Sequence, residues 1–263
     1  MTLMDGGRPP AMRPVRFHSQ SFQKDPSMTR TIRNTYEKKL AKLFVSFRSK
    51  STKMIMERTF ESSEYTITQV NFPNLSAGIL YLIGSEIIAP GEVLIASMVN
   101  ESLKAGKSRG GAFLRSVGVS ASISDIIVDP RVYEIIKERN ISALKGITDD
   151  MAKNIKAELS EGILKGEDMR RLSKRVAEAT GVPMQRARVM ARTETMFAFN
   201  HAKDEEFRKY GVKKVEWVAA LDERMCPKCG SFHGKVYPID EAPDCPNHPN
   251  CRCTTIPHIE EVR

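Results

Sequence analysis

Cysteine is missing from the first 225 residues of this 263-residue chain, and tryptophan occurs once, as Trp217. A body without cysteine is not a disulfide-stapled secreted framework. No run of 18 apolar residues exists, and the longest apolar stretch, Ala77–Gly84, is bounded by glycines and too short to cross a bilayer. The N-terminus lacks the apolar segment of a secretory signal. A soluble chain with no export address, no membrane partner and no small-molecule substrate is therefore expected. Acids are scarce at one end: residues 1–60 hold 13 Lys/Arg against four Asp/Glu, which accounts for the entire net charge of +9. Such a basic fifth on a neutral body implies a polyanion or an acidic protein surface as partner, or a solvated arm. Its candidate contacts are Arg13, Arg16, Arg30, Arg33, Lys38 and Lys39. It has no interleaved aromatics of the kind that stack single-stranded bases.

What is present is mostly helical patterning. Residues 1–35 read as a basic disordered arm. From about Thr31 to Ser62 the apolar residues Tyr36, Leu40, Leu43/Phe44 and Phe47 recur at helical steps. Residues 75–105 read as two short helices divided at Pro90-Gly91, the first packed on both sides, and Lys104–Gly111 as a flexible basic loop. That loop is not a phosphate-cradling Walker loop, because Glu101 stands where its first glycine belongs. Asp129-Pro130 starts a helix to about Arg139. Thr148-Asp149-Asp150 starts another, which ends near Gly162 and Gly166. A third runs from Glu167 to Thr180, and a long one from Met184 to Tyr210. After Gly211 the period changes to two, giving strands around Trp217, at 235–239 and at 254–259. The expected fold class is α+β, mostly α: an arm (1–35), a helical N-terminal region (36–128), a helical bundle (129–183) and a small zinc-stapled module (184–263).

All five cysteines and three of the five histidines fall in the last 40 residues. Cys226-x2-Cys229, then His248-x2-Cys251, have the spacing of a structural zinc site, whose four ligands close a tetrahedron and leave no open position. Disulfides and free thiols are the alternatives. The odd cysteine number and the lack of an export signal count against disulfides. The ligand set read here is Cys226, Cys229, His248 and Cys251, with Cys253 as the first substitute and Cys245 as a bystander. A zinc deaminase is excluded because His201 is followed by Ala202-Lys203 rather than x-Glu. A His-metal nuclease lacks paired acidic ligands near His233 or His258. No catalytic residue is assigned. Asp222 caps the turn before the knuckle, with Arg224 pairing a helix acid and Glu194 as its candidate partner or as a cap for the loop. Arg252, between two ligands, steadies thiolates. Met184, Met190 and Met196 read as core.

These residues carry a resemblance. Ala191-Arg-Thr-Glu194, Asn200, Trp217–Cys229, His233-Gly-Lys235 and His248-Pro-Asn-Cys-Arg-Cys253 resemble the phage Mu F-like head morphogenesis family, densely over 185–257, loosely over 130–184 and not over 1–70. The chain departs from the family at Met225, where Thr is common, and in the extra Cys245. The resemblance implies a minor head protein of a tailed phage, made in the bacterial host cytoplasm and placed at the portal vertex of the virion. Its implied partners are the portal protein and capsid, with a role in head assembly and in handling packaged double-stranded DNA. A DNA-binding protein acting on the genome end is the alternative reading, and a metal-dependent nuclease a more distant one.

Overall fold

The computed structural model describes residues 20–57, 72–121 and 128–259. The chain runs α1 (Gln20–Lys24), α2 (Arg30–Glu57), α3 (Phe72–Ile83), a π-helical turn (Gly84–Ile88), α4 (Ala89–Ser116), α5 (Pro130–Leu164), α6 (Met169–Ala179), α7 (Gly181–Lys209), β1 (Lys214–Val218), α8 (Pro227–Phe232), β2 (Val236–Pro238) and β3 (Thr254–His258). It is mostly helical with one small antiparallel sheet in the order β2-β1-β3, the mostly-α, some-β class expected. Trp217 lies opposite Thr255, and Val215 opposite both Tyr237 and Pro257.

Two helical stretches are longer than the sequence suggests, corrected at three places for physical reasons. Pro90 does not divide α3 from α4. The Ala89 N–H reaches back to the Gly84 carbonyl, and this wider turn absorbs the donor that proline lacks. By length and composition the resulting helix, Pro73–Ser116, could cross a membrane, a property the apparent break concealed. One face of it carries Leu75, Ile79, Ile83, Ile87 and Ile95 into the core, while Leu80, Tyr81 and Val93 stay exposed, so its first part is not packed on both sides.

The second correction concerns Lys104–Gly111, which is helix, not loop. A Cβ on Gly106 would stand 2.2 Å from the Phe199 carbonyl oxygen, and one on Gly110 3.2 Å from that of Lys203. These glycines let the backbones of α4 and α7 touch. Third, α5 is continuous through Asn140 and Gly146. Buried Ile136, Asn140, Leu144, Ile147, Met151, Ile155 and Leu159 keep one unbroken stripe. The Asn140 side-chain nitrogen donates to the Ile136 carbonyl at 2.7 Å, a bond to its own helix that needs no break in α5.

The other expected boundaries match closely. Asp129 caps α5 by accepting the Arg131 N–H, and Gly166 takes a φ of +66° past its end. Residues 1–19 lie outside those described, so the arm reading cannot be followed there. From Gln20 onward the arm is part of the fold: Asp25, Ser27, Thr29 and Arg33 are all buried.

The core has three parts. The largest packs α2–α7 around residues such as Phe44, Phe47, Leu144 and Ala198. A second joins Phe22, Phe113 and Phe207 to Val215 and Ile256 of the sheet. The third is a small cluster of Trp217 and Ala219 with Cys229, Cys251 and Cys253.

Candidate metal centre

The knuckle begins where β1 ends. Cys226 is the N-cap of α8: its sulfur accepts the Cys229 N–H at 3.2 Å, with Pro227 pre-set in the first turn. That geometry turns the Cys226 and Cys229 sulfurs toward one point. His248 meets both there, its Nε2 lying 3.2 Å from each. Its Nδ1 is 2.8 Å from the Pro249 carbonyl, which can only accept. Nδ1 therefore carries a proton, which leaves Nε2 as the ring nitrogen that a metal between the sulfurs would use. Cys251 lies 3.9 Å from Cys229, sulfur to sulfur. Sulfur and nitrogen bonds of about 2.3 and 2.1 Å put the donors of a tetrahedral zinc roughly 3.5–3.8 Å apart, close to these separations.

Two overlapping sets could hold a metal ion: Cys226, Cys229 and His248, and Cys229, Cys251 and Cys253. Together they bring all five sequence-derived candidates into one cluster. Cys253 shares the second set with Cys229 and Cys251, and Cys245 donates its thiol to the Cys253 carbonyl at 2.8 Å. The cavity these residues line is about 20 Å³, the volume of an ion or a single water and not of a substrate. His233 lies apart, its Nδ1 accepting the Ala219 N–H at 3.3 Å.

Protons are shared unevenly in the cluster. Hydrogen bonds from the Cys245 and Cys253 side chains hold Cys251 well below an ordinary thiol. Burial, with Cys226 and Cys251 alongside, pushes Cys229 up to about 12. Cys253 moves up through its hydrogen bond to Cys251 and its burial. Several thiols this close cannot all ionise unless a cation balances them. A divalent metal is the cation their chemistry suits.

Helix α7 and the turn before the knuckle position the ligand loop. Asn250 adopts a φ of +61°, and its N–H is received by the Thr193 hydroxyl at 3.0 Å. Asn200 reaches the Cys253 carbonyl at 3.4 Å and accepts the Thr254 hydroxyl at 2.7 Å. Lys203, fully buried, donates to the Thr255 carbonyl at 2.9 Å and pairs with Asp204 at 2.8 Å. Thr193 and Lys203 were not singled out from the sequence as support for this loop. Their signal is a polar residue on the inner face of a long helix, and only the distant loop explains it.

Asp222 receives both Arg252 terminal nitrogens, Nη2 at 2.6 Å, and the Arg224 N–H at 3.0 Å. The turn cap is thus as read. Arg224 adds a 3.2 Å contact to the same Asp222 and does not meet Glu194, which corrects the expected pairing. Glu194 instead ties α7 to α5 through Arg139 at 3.0 Å and Asn140 at 3.3 Å. Burial raises its pKa against the pull of Arg139. Arg252 is held by Asp222, so its charge is spent there and not on thiolates alone. Among the basic candidates, Arg13 and Arg16 lie outside the described residues. Arg30, Lys38 and Lys39 are exposed, and Arg33 is buried 2.6 Å from Asp25.

A helical body bearing a three-stranded sheet, with a Cys/His cluster whose donors could hold a metal ion, defines a mostly helical protein with a small C-terminal α+β region. Residues 153–256 match the family described as Phage Mu protein F like protein. That part of the chain is thus similar to the family whose motifs it resembles. An uncharacterized protein of Haemophilus influenzae is 26% identical over 128 residues, 46% of this chain and 28% of that protein. An uncharacterized protein of Methanocaldococcus jannaschii is 28% identical over 133 residues, 49% of this chain and 21% of that protein. The matched region spans less than a third of either relative's length. No solved structure matches the chain.

Proposed function

We propose that this chain is a structural, non-enzymatic minor component of a tailed-phage head, with its C-terminal module stapled by zinc. The observation that carries the reading is the closed Cys/His cluster inside the Mu F-like region. Cys226, Cys229 and His248 converge with Cys251 and Cys253 on a cavity of about 20 Å³, room for one ion held by four protein donors. Zinc would be held by Cys226, Cys229, His248 and Cys251, with Cys253 as reserve, and its chemistry there is cross-linking, not Lewis-acid catalysis. Asp222 and Arg252 orient the loop that carries two of these ligands.

The partners that fit are the portal protein and capsid, and the place that fits is the portal vertex. Handling of packaged DNA through the basic N-terminal region belongs to the same reading. The test is cryo-electron microscopy of heads containing the chain. Density for its helical body beside the portal supports the reading. Heads that assemble, package and mature with the chain absent from every vertex overturn it. Metal-dependent cleavage of DNA by the purified chain would overturn the non-enzymatic part.

A further inference from the structure

Three consecutive residues of the turn that leaves β1 make three different attachments. The Ala220 N–H donates to the Cys253 sulfur. The Leu221 N–H donates to the Gln23 carbonyl of α1 at 2.8 Å. Asp222 holds the Arg252 guanidinium, with Nη2 at 2.6 Å. The two neighbours of Leu221 thus grip the loop that carries Cys251 and Cys253, while Leu221 itself is tied to the N-terminal helix.

With only five residues, α1 is too short to be stable by itself, so what holds it is tertiary. Phe22 is buried and meets Phe113 edge-on, ring centroids 6.2 Å apart. Their cluster includes Phe207 of α7, Val215 of β1 and Ile256 of β3. The turn after α1 is fastened to the helical body. Buried Asp25 receives the Arg33 guanidinium at 2.6 Å and the Arg30 N–H at 3.1 Å. The Thr29 hydroxyl donates to the Met196 sulfur of α7 at 3.1 Å. Between these anchors Met28 takes a φ of +55°, a left-handed conformation unfavourable for a residue with a Cβ. Strain of this kind persists where neighbouring contacts over-determine it. Helix α1 and its turn therefore form a strap, pinned to α2 and α7 at one end and to the sheet and the turn before the knuckle at the other.

We propose that this strap is a positioning element of the metal centre: docked, it fixes the turn at Ala220–Asp222 and with it the loop of Cys251 and Cys253, so that metal affinity depends on α1. Phe22 is its positioning residue. The inference rests on the zinc-staple reading above and extends it to a part of the chain outside the Mu F-like region, which starts at residue 153. A ligand loop already fixed by its neighbours loses less freedom when the ion binds. Coupling of this kind is reciprocal, so the bound metal in turn holds the strap in place.

The test makes two measurements on the full chain. Zinc affinity is taken from competition with a chromophoric chelator, for the parent, Phe22→Ala and Phe22→Leu. Amide hydrogen exchange at Leu221, whose N–H bonds to the strap, is followed with and without zinc. Phe22→Ala should bind zinc about fivefold or more weakly, and Phe22→Leu, which keeps an apolar side chain in the cluster, should recover most of the loss. Leu221 should lose protection by about fivefold or more when zinc is withdrawn. Ile155→Val, in the separate core of α2–α7, should leave zinc affinity unchanged, which a mere loss of overall stability would not. If Phe22→Ala does not fold, exchange at Leu221 in the unaltered chain decides, since it needs no substitution. Unchanged affinity in folded Phe22→Ala, an equal loss in Ile155→Val, or Leu221 exchange indifferent to zinc overturns the strap and leaves the staple standing. A parent chain that takes up no zinc overturns the staple, and the strap's role with it.

Discussion

Asp222 shows how much one side chain can organise at the Cys/His cluster. Its carboxylate receives the Arg252 guanidinium in bidentate fashion and the Arg224 N–H, which links the turn before Cys226 to the loop between Cys251 and Cys253. Hydrogen bonding from Arg252 holds its pKa well below the usual carboxylate range. Because the folded-state pKa is depressed, the pair stabilises the fold above the ordinary Asp value of about 3.9. That contribution is lost as pH falls below it. Asp222→Asn, which leaves Arg252 buried and unpaired, should cost about 3 kcal/mol near neutral pH. The deficit relative to the parent should shrink on acidification, as urea unfolding at a series of pH values would show. At this scale the sequence was informative where residues are close along the chain. The Cys-x2-Cys knuckle, the turn cap at Asp222 and the second ligand pair could all be read from spacing. Partners far apart in sequence could not, which is why Glu194 was matched to Arg224 and not to Arg139, 55 residues away.

Among the helices, the same residue type plays opposite parts. Gly106 lies where α4 crosses α7, and an added Cβ would meet the Phe199 carbonyl and the Ala202 methyl at 2.9 Å. Gly146, inside α5, has nothing within 4 Å of that position. Gly106→Ala should destabilise by about 2–3 kcal/mol through forced separation of two backbones. Gly146→Ala should stabilise by about 0.5–1 kcal/mol, since alanine is the better helix former and meets no obstacle. Chemical unfolding of the two variants checks both signs. The contrast also explains what was legible at this scale. Helix starts marked by Asp129-Pro130 and stops marked by Gly166 were clear, because caps act locally. Glycines at a crossing, Pro90 beside a π turn and Asn140 bonded to its own helix all look like breakers until the neighbouring helix is in place.

Across the whole molecule, stability is unevenly divided. The α2–α7 body has an extended apolar core, while the knuckle region rests on Trp217, Ala219 and three cysteines. So small a cluster needs a staple, and binding of a structural metal adds directly to folding free energy. Removing the metal should therefore loosen the sheet and ligand loop before the helical body. Cys229→Ser, at the centre of both donor sets, should abolish metal retention and lower the melting temperature of the module. The placing of five donors around one cavity was legible from spacing. The role of α7 in holding them was not, because Thr193, Asn200 and Lys203 act on residues more than 50 positions away.

The most direct test of the staple is the metal content of the full purified chain, measured together with its melting in the presence and absence of a chelator. The account predicts one zinc per chain, a lower melting temperature on chelation and recovery when zinc is restored. Well under one zinc per chain, with melting indifferent to the chelator, would contradict it.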